Sequence, residues 1–311
     1  MPDIVISEFM EGSSVASLAE SHDVVYDASL VDRPDELLQL VVEARALIVR
    51  NRTQVRGELL AAGARLSCIG RLGVGLDNIN MPACRERGIA VYPATGTNDL
   101  PVAEYVIAAA MMLLRGAYSV TAEVAGGDWP RNRLMGGREL SGRRLGIVGY
   151  GAIARTTAVR ARALGMSICA FDPYVPADDP AWGEAERLEL PALLSTSDVV
   201  SLHVPLTDET RNLIDAGAIA GMKEGAILVN AARGGVVDEA ALCEALKAGR
   251  LGGAALDVFA NEPVTAESGQ VFANVPNLVL TPHIAGLTEE SNVRVSSLIA
   301  EKIRQHLEGA S

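Results

Sequence analysis

Residues 145–154 read LGIVGYGAIA, and the fold turns on this decapeptide. Leu145–Val148 is an apolar run of strand type, and Gly149-Tyr150-Gly151-Ala152-Ile153-Ala154 follows it without a spacer. A strand that runs straight into Gly-x-Gly-x-x-Gly/Ala at the start of a helix is the phosphate-binding turn of a dinucleotide-binding βαβ unit. Gly149 permits the tight turn, Gly151 lets the backbone approach a pyrophosphate, and Ala154 stands where a third glycine is usual. The helix beginning there offers its unpaired N–H groups and the positive end of its dipole to phosphates.

The next apolar run, Ile168–Phe171, ends in Asp172-Pro173-Tyr174, about 20 residues beyond the glycines, where an acidic side chain binds the adenosine ribose hydroxyls and repels a 2′-phosphate. NAD is therefore expected in preference to NADP. Further apolar runs, Val199–Leu202, Ala226–Val229, Ala254–Leu256 and Leu278–Leu280, alternate with helical stretches and complete a six-stranded parallel sheet. The same alternation occupies the first part of the chain, with strand-like runs at Ile4–Ile6, Val24–Tyr26, Ala46–Val49, Leu66–Ile69 and Ile89–Tyr92. The polar Gly- and Pro-containing stretch Pro93–Pro101 marks a boundary, and a helical run from Glu289 to Leu307 follows the last strand. The expected architecture is α/β, with two doubly wound parallel-sheet (Rossmann-like) domains. The first is discontinuous, 1–98 plus 287–311, and it flanks a nucleotide-binding domain of 99–286.

Composition narrows the function. The 311 residues carry 27 Lys+Arg against 39 Asp+Glu, a formal net charge of −12. Such a chain is repelled by nucleic-acid phosphates and by anionic lipid, so neither nucleic acid nor membrane is an expected partner. Hydrophobic residues at 49% and charged residues at 21% suit a folded globular protein. Cys68, Cys84, Cys169 and Cys243 form no CxxC pair and no metal-ligand spacing, which points to buried thiols in a reducing, cytoplasmic setting with no metal site. No signal-peptide pattern opens the chain.

Three chemically complementary residues follow successive predicted strands. Arg233 lies in Asn230-Ala231-Ala232-Arg233-Gly234-Gly235, and its guanidinium fork suits a carboxylate and an adjacent carbonyl. Glu262 follows Ala254–Leu256, and His283 follows Leu278–Leu280 in Thr281-Pro282-His283-Ile284-Ala285-Gly286. Histidine is the side chain that exchanges a proton near neutral pH, and a neighbouring carboxylate fixes its tautomer.

These motifs, with His203-Val204-Pro205-Leu206, Asp257–Pro263 and Gly73-Val74-Gly75-Leu76-Asp77-Asn78-Ile79, resemble the D-isomer-specific 2-hydroxyacid dehydrogenase family along essentially the whole chain. The resemblance implies hydride transfer between C2 of a small anionic 2-hydroxy or 2-keto acid and NAD. Arg233 would orient the substrate, with His283 as acid/base and Glu262 as its partner. It places cofactor contacts at Gly149, Tyr150, Gly151, Ala152, Ile153, Asp172, His203, Val204, Pro205, Ala231, Ala232, Asp257 and Gly286. It also implies a homodimer built around the apolar helix Val102–Tyr118.

Arg50 and Arg71 end two strand-like runs of the first domain, at the edge where parallel sheets bind ligands. Two guanidinium groups there suggest a second anion on the substrate, and the backbone of Gly73, Val74 and Gly75 would serve its carboxylate. The two arginines match positions that hold a phosphate in D-3-phosphoglycerate dehydrogenases. DIVISEFM (3–10) and VRNRTQV (49–55) resemble instead the branch of the family that takes (S)-sulfolactate, whose second anion is a sulfonate. A glyoxylate or hydroxypyruvate reductase, and an NADH-sensing corepressor-like binding protein, remain open readings. Arg131 and Arg133 are further candidates for anion contacts.

Overall fold

Strands covered by helices on both faces are written in sequence as continuous aliphatic runs, and that is how both sheets of this chain are encoded. The computed structural model describes residues 2–309, with all their side chains except those of 117 and 118. The chain divides into two units, 1–98 with 287–311, and 99–286.

The first unit is built on β1 (Ile4–Ile6), β2 (Val24–Tyr26), β3 (Ala46–Val49), β4 (Cys68–Arg71) and β5 (Ala90–Pro93), all parallel in the order β2-β1-β3-β4-β5. Alternate residues face opposite sides. Ile4, Ile6, Ala46 and Ile48 pack with Val295, Ile299, Ile303 and Leu307 of the C-terminal helix Glu289–Gly309. Val5, Leu47, Val49 and Ile69 pack with Leu37, Val41 and Leu60. β4 runs two residues later than the aliphatic pattern suggests because Gly70 interrupts that pattern. A Cβ on Gly70 would lie 2.5 Å from Ile299 Cγ2, so the close approach of the helix requires glycine inside a strand.

The second unit contains β6 (Arg144–Val148), β7 (Ser167–Phe171), β8 (Glu186–Arg187), β9 (Val199–Leu202), β10 (Ile227–Asn230), β11 (Gly253–Leu256) and β12 (Leu278–Leu280). The seven strands are parallel in the order β12-β11-β10-β9-β6-β7-β8. The chain direction of winding reverses at β6, so the loops leaving β6 and β9 diverge and open the crevice in which such sheets bind ligands. The sequence pattern anticipates six of these strands. β8 escapes it because it is an exposed edge strand of two charged residues, a form that discourages further pairing.

Helix Asp99–Arg115 begins earlier than its apolar run and ends earlier too, because Gly116 adopts the left-handed conformation (φ +63°) that terminates helices. The end expected at Tyr118 involves a side chain outside the described ones. Most of the helix's apolar surface is used within its own unit. Val106, Ala109, Ala110, Leu113 and Leu114 join the cluster formed by Leu145, Ile147, Ala154 and Ala158. Glu104, Ala108, Met111 and Arg115 form the exposed stripe. Among the described residues no helix is long and apolar enough to cross a membrane.

Candidate active site

The turn after β6 is tied in place from both sides. Gly149 N donates to Phe171 O (2.7 Å), and His203 N donates to Val148 O (2.7 Å). Gly149 has φ +86°, and a Cβ there would stand 2.7 Å from the His203 carbonyl oxygen, so its glycine is demanded by the fold. Gly151 differs. It precedes helix Ala152–Ala163 with φ −74°, no described side chain caps that helix, and a Cβ would meet nothing within 4 Å. Its bareness suits a group approaching from outside, and the uncapped N–H groups beside it suit phosphates. The residues present therefore fit a dinucleotide.

Asp172 reaches back to this turn, Oδ2 accepting from Tyr150 N (2.8 Å) and Oδ1 from Tyr174 N (2.9 Å). Each carboxylate oxygen retains a lone pair for a ribose hydroxyl. The Tyr150 ring is 2% exposed and stacks on Trp182, with centroids 5.2 Å apart and planes 10° apart. Only the backbone of Tyr150 is thus offered to a cofactor. His203 Nε2 lies 2.9 Å from Ser201 Oγ, and burial pushes the ring down to about 4. It is neutral at physiological pH, which makes it a structural or cofactor-facing imidazole rather than a proton carrier.

Beyond β10, Asn230 shapes the loop bearing the expected substrate arginine. Its Nδ2 donates to Arg233 O (2.9 Å), and its Oδ1 accepts from Ala232 N (3.1 Å). Gly234 is required here by close contact, because a Cβ would fall 1.8 Å from Phe259 O. Arg233 Nη1 donates to Ala232 O (2.5 Å). Arg233 also acts on Glu262. Burial tends to raise the Glu262 carboxyl, but the hydrogen bond and charge of His283, the Phe259 N–H and the Arg233 charge outweigh it and hold the group below its ordinary value. Glu262 Oε1 accepts from Phe259 N (2.9 Å), and Oε2 lies 2.7 Å from His283 Nδ1. Because the carboxylate can only accept, His283 carries its proton on Nδ1 and presents Nε2 for chemistry.

His283 has φ +57°, a left-handed conformation that costs a residue with a Cβ about 1–2 kcal/mol. Asp257, buried at the end of β11, holds the loop that imposes it. Its carbonyl accepts from His283 N (2.8 Å). Its Oδ1 accepts from Thr281 Oγ1 (2.6 Å) and Ile284 N (2.8 Å), and its Oδ2 accepts from Ala285 N (2.8 Å). Gly286 follows directly. Thr281 Oγ1 also meets Tyr105 Oη at 2.7 Å. Tyr105 lies outside the sequence motifs, and Thr281 and Asn230 stand within them without a role of their own. A polar tyrosine within the apolar run 102–114 is the signal that could have drawn attention to the first of these.

In the first unit, β3 and β4 bring Arg50 and Arg71 to one sheet edge, since Arg71 is in register with Val49. Arg71 is buried and donates from Nη1 to Leu72 O (3.1 Å). A Cβ on Gly73 would sit 1.7 Å from that Nη1, so Gly73 makes room for the guanidinium beside Val74 and Gly75. Arg50 Nη2 donates to Asn292 Oδ1 (2.6 Å), and its guanidinium lies 5.4 Å from the Phe9 ring centroid. Buried Glu8 accepts the backbone N–H groups of Arg50 (2.9 Å), Arg52 (3.2 Å) and Thr53 (2.9 Å). Arg133 forms an exposed ion pair with Glu123 (2.6 Å). Among the described residues no three His, Cys, Asp or Glu side chains gather as metal ligands.

Residues 107–285 match the family model for the NAD binding domain of D-isomer specific 2-hydroxyacid dehydrogenases. The chain is 54% identical over 308 residues to an (S)-sulfolactate dehydrogenase of Chromohalobacter salexigens, with 99% of each chain covered. It is 41% identical over 269 residues to a D-3-phosphoglycerate dehydrogenase of Archaeoglobus fulgidus, covering 86% of this chain and 50% of that one. Among solved structures, the D-lactate dehydrogenase of Aquifex aeolicus complexed with NAD and lactic acid superposes with a TM-score of 0.85 at 27% identity, covering 98% of this chain and 95% of the other. NAD is the cofactor to which the family model, the Aquifex structure and the glycine turn all point. This chain belongs to the D-isomer specific 2-hydroxyacid dehydrogenase family.

Proposed function

We propose that this chain interconverts (S)-3-sulfolactate and 3-sulfopyruvate with NAD. One observation carries the substrate: the 54% identity to an (S)-sulfolactate dehydrogenase spans 99% of both chains. The phosphoglycerate relative is 41% identical and twice as long as the matched part. Arg50 and Arg71 are the groups to which we assign the substrate's second anion, with the backbone of Gly73, Val74 and Gly75 serving its carboxylate. A D-3-phosphoglycerate would satisfy the same arginines and is the second reading.

When bound, NAD supplies the acceptor for the hydride leaving C2. The chain's own residues manage the remaining charges. Arg233 would hold the carboxylate and the C2 oxygen, its guanidinium fork matching two neighbouring oxygens on which negative charge develops. His283 Nε2 takes the hydroxyl proton as the hydroxy acid becomes a keto acid, and returns it in the reverse direction. Glu262 fixes the productive tautomer and stabilises the imidazolium. Gly149–Ile153, with the backbone of Tyr150, would hold the pyrophosphate, and Asp172 the ribose. Val204, Pro205, Ala231 and Ala232 would line the rest of the cofactor, alongside His203, Asp257 and Gly286.

We assign the protein to the cytoplasm and to a homodimer. Its four cysteines are free and buried, which suits a reducing compartment. Trp129 and Met135 are 79% and 74% exposed in the segment following helix Asp99–Arg115, and apolar side chains so exposed suit a subunit interface. The test of the reaction is NADH-dependent reduction of sulfopyruvate. His283→Ala should lower turnover by about 10²–10⁴-fold while NADH affinity is kept. Equal turnover in the variant would remove His283 from the role.

A further inference from the structure

The geometry points to Tyr105, on helix Asp99–Arg115, as a positioning residue for His283, acting through the hydroxyl of Thr281 and the carboxylate of Asp257. The direction of this chain of hydrogen bonds is set by proton count. Thr281 Oγ1 has one hydrogen, and at 2.6 Å it gives it to Asp257 Oδ1, an acceptor. The contact of 2.7 Å between Tyr105 Oη and Thr281 Oγ1 must then be a donation by the tyrosine. Burial, the chief influence, and the Asp257 charge raise the phenol above its ordinary value, against a smaller opposing effect of Thr281. Tyr105 thus keeps its proton to donate.

The chain ends at the one part of the active-site loop with left-handed backbone at a non-glycine residue. Asp257 accepts from Thr281, Ile284 and Ala285 with its side chain, and from His283 with its carbonyl. Every residue from 281 to 285 with an N–H or O–H near Asp257 is tied to it, and His283 (φ +57°) lies within that span. The loop has no other buried carboxylate to hold it among the described residues. Without the Tyr105 donation, the Thr281 hydroxyl is free to turn its hydrogen elsewhere, and the Asp257 oxygen that also receives Ile284 N loses its fixed partner. The consequence falls on the aim of His283 Nε2, not on the glycine turn that binds dinucleotide after β6. Because Tyr105 Oη ends on Thr281 Oγ1, it acts through the loop.

The inference rests on His283 being the acid/base, and the experiment separates the two claims. Tyr105→Phe removes one oxygen and preserves the packing of the ring. Steady-state reduction of sulfopyruvate and NADH binding are measured for wild type, Tyr105→Phe, Thr281→Val, the Tyr105→Phe/Thr281→Val double variant, His283→Ala, and Tyr105→Phe in the His283→Ala background. The expected result is a kcat about three- to tenfold lower in Tyr105→Phe, the scale of one buried hydrogen bond. The loss should fall on kcat more than on the dissociation constant of NADH, to which Asp257 is also assigned, and the melting temperature should stay near wild type. The double variant should be no slower than Thr281→Val alone, since both changes cut the same chain. In the His283→Ala background Tyr105→Phe should have no further effect. Multiplicative losses in the double variant, or an undiminished loss without His283, would overturn the positioning role. A His283→Ala protein as active as wild type would refute the acid/base assignment instead.

Discussion

Glu262 Oε2 lies 2.7 Å from His283 Nδ1, and this contact decides which ring nitrogen carries the proton and which is left to accept one. Its other oxygen is fixed by Phe259 N at 2.9 Å, so the carboxylate cannot rotate to follow the ring without losing a second bond. The pair works as a unit: the anion is anchored by the backbone, and the imidazole is anchored by the anion. Glu262→Gln keeps the shape and removes the charge. We expect about 10²-fold lower turnover, with NADH affinity retained, by steady-state kinetics and fluorescence titration.

The same pair predicts an acid-sensitive contribution to stability. Burial raises Glu262, but its His283 bond and neighbouring charges leave it below its ordinary 4.5 in the folded protein. The unfolded chain therefore binds that proton first as pH falls. The stabilisation is fully present above the unfolded value and is lost as pH drops through the lower folded value. Thermal denaturation of wild type and Glu262→Gln should show a difference at neutral pH that shrinks in the acid range. A difference independent of pH would contradict the assignment.

His203 behaves oppositely to a working acid/base. Burial pushes it down from 6.5 to about 4, so below about pH 6.5 the unfolded chain takes up a proton that the folded protein refuses. Stability attributable to this ring is constant at higher pH, falls between roughly 6.5 and 4, and levels off below. His203→Gln should flatten that part of the melting curve against pH and leave the pH dependence of kcat unmoved. A shifted kinetic limb would mean that His203 exchanges protons during turnover.

Gly149 and Gly151, two positions apart in the same turn, should fail differently when given a methyl group. Gly149→Ala forces a Cβ against the His203 carbonyl at φ +86°, and should lower the melting temperature. Gly151→Ala meets nothing within 4 Å and should fold normally, while losing at least about tenfold in NADH affinity, or 1.4 kcal/mol. Calorimetry and titration of the two variants check this contrast. Normal NADH binding by Gly151→Ala would remove the pyrophosphate from this turn.

Arg71 is buried at the end of β4 with Gly73 cleared around it. Arg71→Ala should reduce kcat/KM for sulfopyruvate at least about tenfold more than for pyruvate, a differential of 1.4 kcal/mol in the transition state. Equal losses on the two substrates would place Arg71 outside the recognition of the second anion.

Much of this molecule is legible in its sequence because parallel strands buried on both faces are uninterrupted aliphatic runs, as at Leu145–Val148 and Val199–Leu202. Legibility fails where tertiary packing overrides the run. Gly70 hides the end of β4 because Ile299 presses on it, and β8 is an edge strand of two charged residues. Arg233, Glu262 and His283 are visible because each follows a strand whose end is visible. Asp257 is visible as a motif, yet its grip on Ile284, Ala285 and Thr281 is a property of loop geometry. Tyr105 lies 176 positions from Thr281, and nothing local to either residue announces their contact. The Tyr150 ring, read from the motif as part of the cofactor turn, is drawn into the core by Trp182.

The most direct test of the proposed substrate is side-by-side NADH oxidation by the purified protein with sulfopyruvate, phosphohydroxypyruvate, hydroxypyruvate, pyruvate and glyoxylate. The expected kcat/KM for sulfopyruvate is at least about tenfold above that of every other substrate, equivalent to 1.4 kcal/mol of transition-state preference. Higher efficiency with phosphohydroxypyruvate, or with any keto acid lacking a second anion, would contradict it.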